Sequence, residues 1–352
     1  MGPITPVHVA GRAIGPGQRC LLVAEAGVNH NGDPTLAHRL VDVAADCGAD
    51  AVKFQTFRPE LIATARAPKA DYQIETTGSG ESQLDMLRRL ELPVDAYGEL
   101  ARHCDKRGIL LLSTPFDLPS LDLLDELGLP AFKIASGELT NLPFLDAVGR
   151  RGKPVILSTG LADLDEVRDG VATLRRAGTT GLVLLHCVSA YPVDPVDANL
   201  RAMRTLADTF EVPVGFSDHT TGIEVSLAAA ALGAVLVEKH FTLSRDLPGP
   251  DHRASLEPLE LAALVRGIAT VHDALGSGDK RPAAAELPVR RVARRSLHFS
   301  VDAPAGTVIT LSMLAILRPE GGLAPRELDT VLGRRLRVAA VAGTPVTWDA
   351  LE

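Results

Sequence analysis

Short apolar runs and helix-length stretches alternate along the first 276 residues of the chain. The clearest unit lies at 213–243. Two apolar runs, 213–219 and 234–243, flank an apolar stretch of helical length at 224–233 and carry His219 and His240 near their C-terminal ends. A crossover of this length joins parallel neighbouring strands, so both imidazoles should stand on one rim of one sheet. Upstream, runs at 20–25, 49–56, 109–117, 131–138, 154–160 and 182–192 have the same strand texture. The spacing predicts helices over 35–47, 93–107, 118–127, after Thr140, and over 163–177, 197–210 and 257–275. Eight strands, each followed by a helix, make an α/β chain folded as a closed parallel (β/α)8 TIM barrel, with its active site at the C-terminal strand ends. An open doubly wound sheet is the alternative, but no glycine-rich dinucleotide loop follows the first run.

Two segments interrupt the alternation. Residues 58–92 form a polar insertion that reads as a mobile lid rather than core. After Gly276, a stretch rich in Gly, Pro and Ala gives way to short segments broken by turn residues. The organisation expected is a barrel over 1–276, a linker over 277–290 and a small module of strands and turns over 291–352. Some sixty residues are marginal as an independent fold, so the module should lean on the barrel or on a second subunit.

Composition narrows the functional classes. A net charge of −8 without a long basic run argues against nucleic acid as partner. No apolar run approaches membrane-spanning length, and the N-terminus lacks a secretory pattern, so a cytoplasmic location is expected. Four scattered cysteines, Cys20, Cys47, Cys104 and Cys187, have no metal-type spacing and read as reduced thiols.

The chemistry gathers at the ends of the apolar runs. Glu25, Lys53, Gln55, Thr114, Lys133, Ser136, Ser158, His186, Tyr191, Ser217, His219 and His240 all fall there. Lysine inside an apolar run is costly without an anion. Either lysine could serve a local ion pair; two of them beside several hydroxyls suit a phosphate and a carboxylate. Two imidazoles with carboxylates nearby (Asp218, Glu238, Asp251) suit a divalent metal with open positions, although each could merely hydrogen-bond at a strand end.

Several motifs together resemble the sialic acid synthase family. They are Val23-Ala-Glu25-Ala-Gly-Val-Asn-His-Asn-Gly32, Ala51-Val-Lys53-Phe-Gln55-Thr, Ser113-Thr-Pro-Phe-Asp117, Phe132-Lys133-Ile-Ala-Ser136-Gly-Glu, Gly215-Phe-Ser217-Asp-His219-Thr and Glu238-Lys-His240-Phe-Thr. The end of the chain, with Ala293-Arg-Arg-Ser296-Leu and Leu317-Arg318-Pro, is similar to the antifreeze-like (SAF, β-clip) domain of these synthases. The resemblance implies condensation of phosphoenolpyruvate with an N-acylated hexosamine aldehyde, either N-acetylmannosamine or a 2,4-diacetamido-trideoxyhexose. The product is a nine-carbon 2-keto sugar acid, and phosphate is released. It implies a metal ion on His219 and His240, Mn²⁺ first, with Mg²⁺ or Co²⁺ as alternatives. Lys53, Gln55, Thr114, Lys133, Ser136, Ser158 and Ser217 would hold phosphoenolpyruvate. Ser189, Tyr191, Asp251 and Arg318 would face the sugar, and Glu25 would act in catalysis. It also implies a homodimer in which each C-terminal module closes its partner's active site. One departure bears on specificity: Ser189 stands where bacterial N-acetylneuraminate synthases carry Asn. A Schiff-base aldolase using Lys53 or Lys133 is the rival enzyme. A carbohydrate-binding protein acting through its C-terminal module is the rival without catalysis.

Overall fold

A computed structural model describes residues 4–352, which fall into two compact units, one ending at Gly276 and one spanning Ser277–Glu352. In the first, a hairpin of β1 (Val7–Val9) and β2 (Arg12–Ile14) precedes eight parallel strands. These are β3 (Leu21–Gly27), β4 (Ala51–Thr56), β5 (Leu110–Pro115), β6 (Phe132–Ile134), β7 (Val155–Ser158), β8 (Leu182–Cys187), β9 (Val214–Asp218) and β10 (Leu236–His240). The sheet order is β5-β4-β3-β10-β9-β8-β7-β6, and β10 pairs with β3, so the first and last of the eight are neighbours. β5 and β6 pack side by side without a ladder, because β6 is three residues long and gives way to a 3-10 turn at Ser136–Glu138. This is the expected (β/α)8 barrel, nearly closed.

Strand alternation divides the core in two. Leu21, Val23, Ala51, Leu112, Ala131, Ile156, Val183, Leu185 and Leu236 form an inner cluster. Leu22, Ala24, Val52, Phe54, Phe132, Leu157, Leu184, Phe216 and Val237 face the helices. Val7, Val9 and Ile14 of the hairpin join the inner cluster and close the N-terminal end of the barrel. Arg12 ties the hairpin to Asp50 at 2.6 Å. The Gly/Pro-rich opening of the chain gave no sign of that plug. Helices begin where short polar side chains satisfy free amides: Asp33 before Pro34–Asp46, Asp117 before Leu118–Glu126 and Asp163 before Leu164–Ala177.

The insertion at 58–92 differs from the expected lid without core. It holds three short helices, Pro59–Ile62, Asp71–Thr77 and Gln83–Leu90. Met86 and Leu90 pack with Val28 and Phe57 in a cluster of their own. The buried ammonium of Lys69 binds Thr77, the carbonyl of Gly78 and Glu81, pinning the connection between the last two helices. Alternating small polar residues hid this one-sided burial.

The second unit pairs β11 (Ser296–Phe299) with β12 (Leu314–Leu317) antiparallel, over a core that includes Leu297, Phe299, Ile309, Val331, Leu336 and Val346. The segment expected to be linker is in part helical, with a 3-10 turn at Ala284–Glu286 and a helix over Leu287–Ala293. Among the described residues no helix is long and apolar enough to cross a membrane.

Candidate active site

Above the inner apolar layers the same alternation turns polar. Counting by twos along each strand carries Leu21 and Val23 to Glu25, Ala51 to Lys53 and Gln55, and Leu112 to Thr114. It likewise carries Ala131 to Lys133, Ile156 to Ser158, Gly215 to Ser217 and Leu236 to Glu238 and His240. Parallel strands put all of these at one end, around a cavity of about 320 Å³. Glu25, Lys53, Gln55, Thr114, Lys133, Ser136, Ser158, Ser189, Tyr191, Ser217, His219 and His240 all line it. Asp251 is buried, lies outside that lining, and is close enough for the Glu25 charge to act on it. Arg318 is exposed just past β12 in the second unit.

Four charges set the electrostatics of the floor. Lys53 lies 2.7 Å from Glu25 and 3.7 Å from Glu238, while Lys133 lies 3.6 Å from Glu238. Lys53 donates to Thr114 at 3.1 Å and Lys133 donates to Ser158 at 2.7 Å. Ser217 donates to Glu238 at 3.0 Å, and Gln55 reaches Glu25 at 3.4 Å. Burial pushes the Glu25 carboxyl up, a shift that Lys53 opposes. Burial would also raise Glu238, but Lys133 and Lys53 outweigh it and bring its carboxyl down to about 2. Two carboxyls on one floor are therefore driven apart, the pattern that separates a proton carrier from a fixed anion. Burial lowers Lys133, and burial raises Asp251 to about 7.

At the rim, the rings of His219 and His240 stand 5.6 Å apart, and Tyr191 lies 4.2 Å from His219 and 5.7 Å from His240. His219 Nδ1 meets the carbonyl of Val188 at 2.7 Å, which places the proton there and leaves Nε2 with its lone pair. His240 Nδ1 is buried without a hydrogen-bond partner. Burial lowers both imidazoles and keeps them neutral, the form that binds metals. Their donor chemistry fits a divalent cation. Among the described residues, however, no group of three or more His, Cys, Asp and Glu side chains converges as a metal cage. The chain offers two imidazoles, and further positions would fall to substrate or water.

Two residues read as belonging to this rim do not. Asp218 lies on the helix-facing side of β9, where Lys239 pairs with it at 2.8 Å. His186 also faces outward, bonded to the carbonyl of Ala198 at 2.9 Å and packed on Phe216. Both sit one residue out of phase with the inner face. Conversely, Glu238 belongs to the floor, and stepping back two residues from His240 identifies it. Tyr72, Gln73 and Gln83 reach the cavity from the insertion, with Tyr72 packed on Tyr191 at 5.0 Å; no periodicity announced them. Gly27 (φ +54°) explains how the floor fits together. A Cβ there would lie 3.3 Å from Glu25, close enough to push that carboxyl by a few tenths of an ångström, and would touch His240 and Gln55 at 3.4 and 3.5 Å.

Comparison with known proteins places this architecture. The model of the NeuB family matches residues 40–280, and that of the SAF domain matches 294–352. The chain is 44% identical over 342 residues to the N,N'-diacetyllegionaminic acid synthase of Legionella pneumophila, covering 96% of each chain. It is 46% identical over 319 residues to that of Campylobacter jejuni, covering 90% of this chain and 96% of the other. Among solved structures, the N-acetylneuraminic acid (sialic acid) synthetase of Leptospira borgpetersenii serovar Hardjo-bovis superposes with a TM-score of 0.72 at 37% identity. It covers 81% of this chain and 95% of its own.

Proposed function

The chain belongs to the NeuB family and ends in an SAF domain, and from that premise we propose that it condenses phosphoenolpyruvate with an N-acylated amino sugar to a nine-carbon 2-keto acid, releasing phosphate. The observation that carries this reading is the pair of buried lysines on a cavity floor, each with a hydroxyl beside it. Lys53, Lys133, Thr114, Ser136, Ser158, Ser217 and Gln55 would hold the carboxylate and the phosphate. At Lys53 two carboxylates outweigh burial and raise the amine, which suits an ammonium clamp better than the free amine of a Schiff-base aldolase. Lys133, lowered by burial, keeps Glu238 within 4 Å as its counter-charge.

The enol C3 attacks the sugar's aldehyde carbon, and the aldehyde oxygen takes a proton. Asp251, buried and raised to about 7, is suited to give it near neutral pH. Water then adds at C2 and loses one proton. The resulting tetrahedral adduct collapses to the ketone as its hydroxyl gives up the second proton and the C–O bond to phosphate breaks, that proton leaving with the phosphate. Glu25, a carboxyl raised by burial beside Lys53, would receive the first of these protons or steady the developing positive charge. His219 and His240 would hold a divalent cation, Mn²⁺ in our reading, whose chemistry is Lewis-acid polarisation of the aldehyde oxygen.

Within the sugar class, identities of 44% and 46% to N,N'-diacetyllegionaminic acid synthases, against 37% to the sialic acid synthetase, favour a 2,4-diacetamido-trideoxyhexose. Ser189 on the cavity wall, smaller than Asn, leaves more room for a second acetamido group. Incubation with phosphoenolpyruvate and a panel of amino sugars should release phosphate fastest with the diacetamido sugar. N-acetylmannosamine should follow, and no phosphate should appear without sugar. Absence of sugar-dependent phosphate across the panel would refute the function.

We further assign the SAF domain to the active site of a second copy in a homodimer, with Arg318 reaching the sugar. An Arg318→Ala chain mixed with a Glu25→Ala chain should then regain activity, because a swapped heterodimer holds one site with both defects and one with neither. Subunit exchange without recovered activity would rule this arrangement out.

A further inference from the structure

Lys239 and Asp218 form an ion pair that the proposed chemistry does not use. Both are about 1% exposed and lie 2.8 Å apart on the helix-facing side of the barrel. Exchanging such a pair for apolar residues is often neutral or stabilising, so stability alone is a weak reason to keep it. Its position is more telling. Lys239 opposite Asp218 is the last rung between β9 and β10, and the next residue in each case is an imidazole, His219 just past β9 and His240 at the end of β10.

The contacts grip the residues on both sides of His219, Asp218 by its side chain and Thr220 by its backbone and hydroxyl. Asp218 Oδ1 accepts from the Thr220 amide and from the Thr220 hydroxyl, each at 2.8 Å. Lys239 donates to the Thr220 carbonyl at 2.6 Å. Ser226, on the helix that follows, donates to Asp218 Oδ2 at 2.5 Å. Residues 218 and 220 therefore point outward into one bonded cluster, and the residue between them points inward. His240 follows Lys239 directly on β10, so the cluster anchors the residue before it.

We infer that Asp218, Lys239 and Thr220 are positioning residues that hold the two imidazoles at the spacing a divalent cation needs. This inference rests on His219 and His240 as the metal-binding pair. Supporting groups around a metal site typically carry a 10- to 100-fold effect on affinity.

Titration of the purified protein with Mn²⁺ alone, followed by electron paramagnetic resonance of the free ion, separates positioning from stability. Lys239→Met keeps the stem and removes the charge, while Lys239→Arg keeps the charge. With a native circular dichroism spectrum, Lys239→Met should bind Mn²⁺ at least tenfold more weakly, and Lys239→Arg should recover most of the loss. Unchanged Mn²⁺ binding in folded Lys239→Met would overturn the inference. Should Lys239→Met not fold, Thr220→Val decides. It deletes one hydroxyl of similar shape and should weaken Mn²⁺ by a few-fold with little change in melting temperature; unaltered binding there overturns the inference. A wild-type protein that binds no Mn²⁺ would remove the metal reading itself, a result distinct from a wild type that binds and variants that bind equally.

Discussion

Lys53→Met and Lys133→Met should each raise the KM for phosphoenolpyruvate far more than the KM for the sugar. Methionine preserves the stem and the packing, so what disappears is the charge facing the bound anion. Leaving a buried charge without its partner typically costs about 2–5 kcal/mol, which is roughly 30-fold to several thousand-fold in affinity. Stability should move too, and differently in the two variants. Lys53 lies 2.7 Å from Glu25 and 3.7 Å from Glu238, so its loss uncovers both carboxylates, whereas Lys133 neighbours Glu238. The pH dependence follows from Glu25, whose carboxyl burial already raises and which Lys53 holds down. Without Lys53 that carboxyl rises further. A carboxyl whose folded value lies above its unfolded value destabilises the fold wherever it is ionised, and the penalty fades as pH falls through the folded value. The melting-temperature deficit of Lys53→Met should therefore shrink on acidification. Steady-state kinetics and thermal melts across pH read both effects. An unchanged KM for phosphoenolpyruvate in both variants would show that the lysines do not hold it.

The barrel was legible because a parallel strand buried on both faces leaves a signature that short sequence windows can detect. Each of the eight runs is apolar enough to be one, and helix-length segments separate them. The polar ends were legible for a related reason: lysine inside an apolar run has few explanations other than an anion. Phase was harder to read. Asp218 and Glu238 are both acidic residues near strand ends, yet one faces the helices and the other the floor, and the notion of a carboxylate nearby did not separate them. Counting by twos from an imidazole does, since Glu238 shares the face of His240 while Asp218 alternates with His219. The insertion was harder still. Tyr72 reaches the cavity from a seven-residue helix with no buried residues of its own, so no amphipathic pattern exists to be found. The N-terminal hairpin escaped because three-residue strands carry almost no periodic information.

His219→Ala and His240→Ala should each lower kcat/KM by about three orders of magnitude, since polarising a carbonyl oxygen with a metal is worth several kcal/mol in the transition state. Stability separates the two variants and guards against reading misfolding as lost catalysis. His219 gives up a hydrogen bond to the Val188 carbonyl, so His219→Ala leaves that acceptor unpaired at a cost of about 1–3 kcal/mol. His240 Nδ1 has no hydrogen-bond partner within the protein, so His240→Ala removes an unsatisfied buried atom and breaks no such contact. The melting temperature of His240→Ala should therefore fall less than that of His219→Ala, while both lose activity alike. Chelation of the wild type should reproduce the loss, and added Mn²⁺ should reverse it in the wild type but in neither variant. Undiminished turnover by both variants in the presence of chelator would mean that the imidazoles hold no catalytic metal. Loss that tracked melting temperature instead would assign them to the fold.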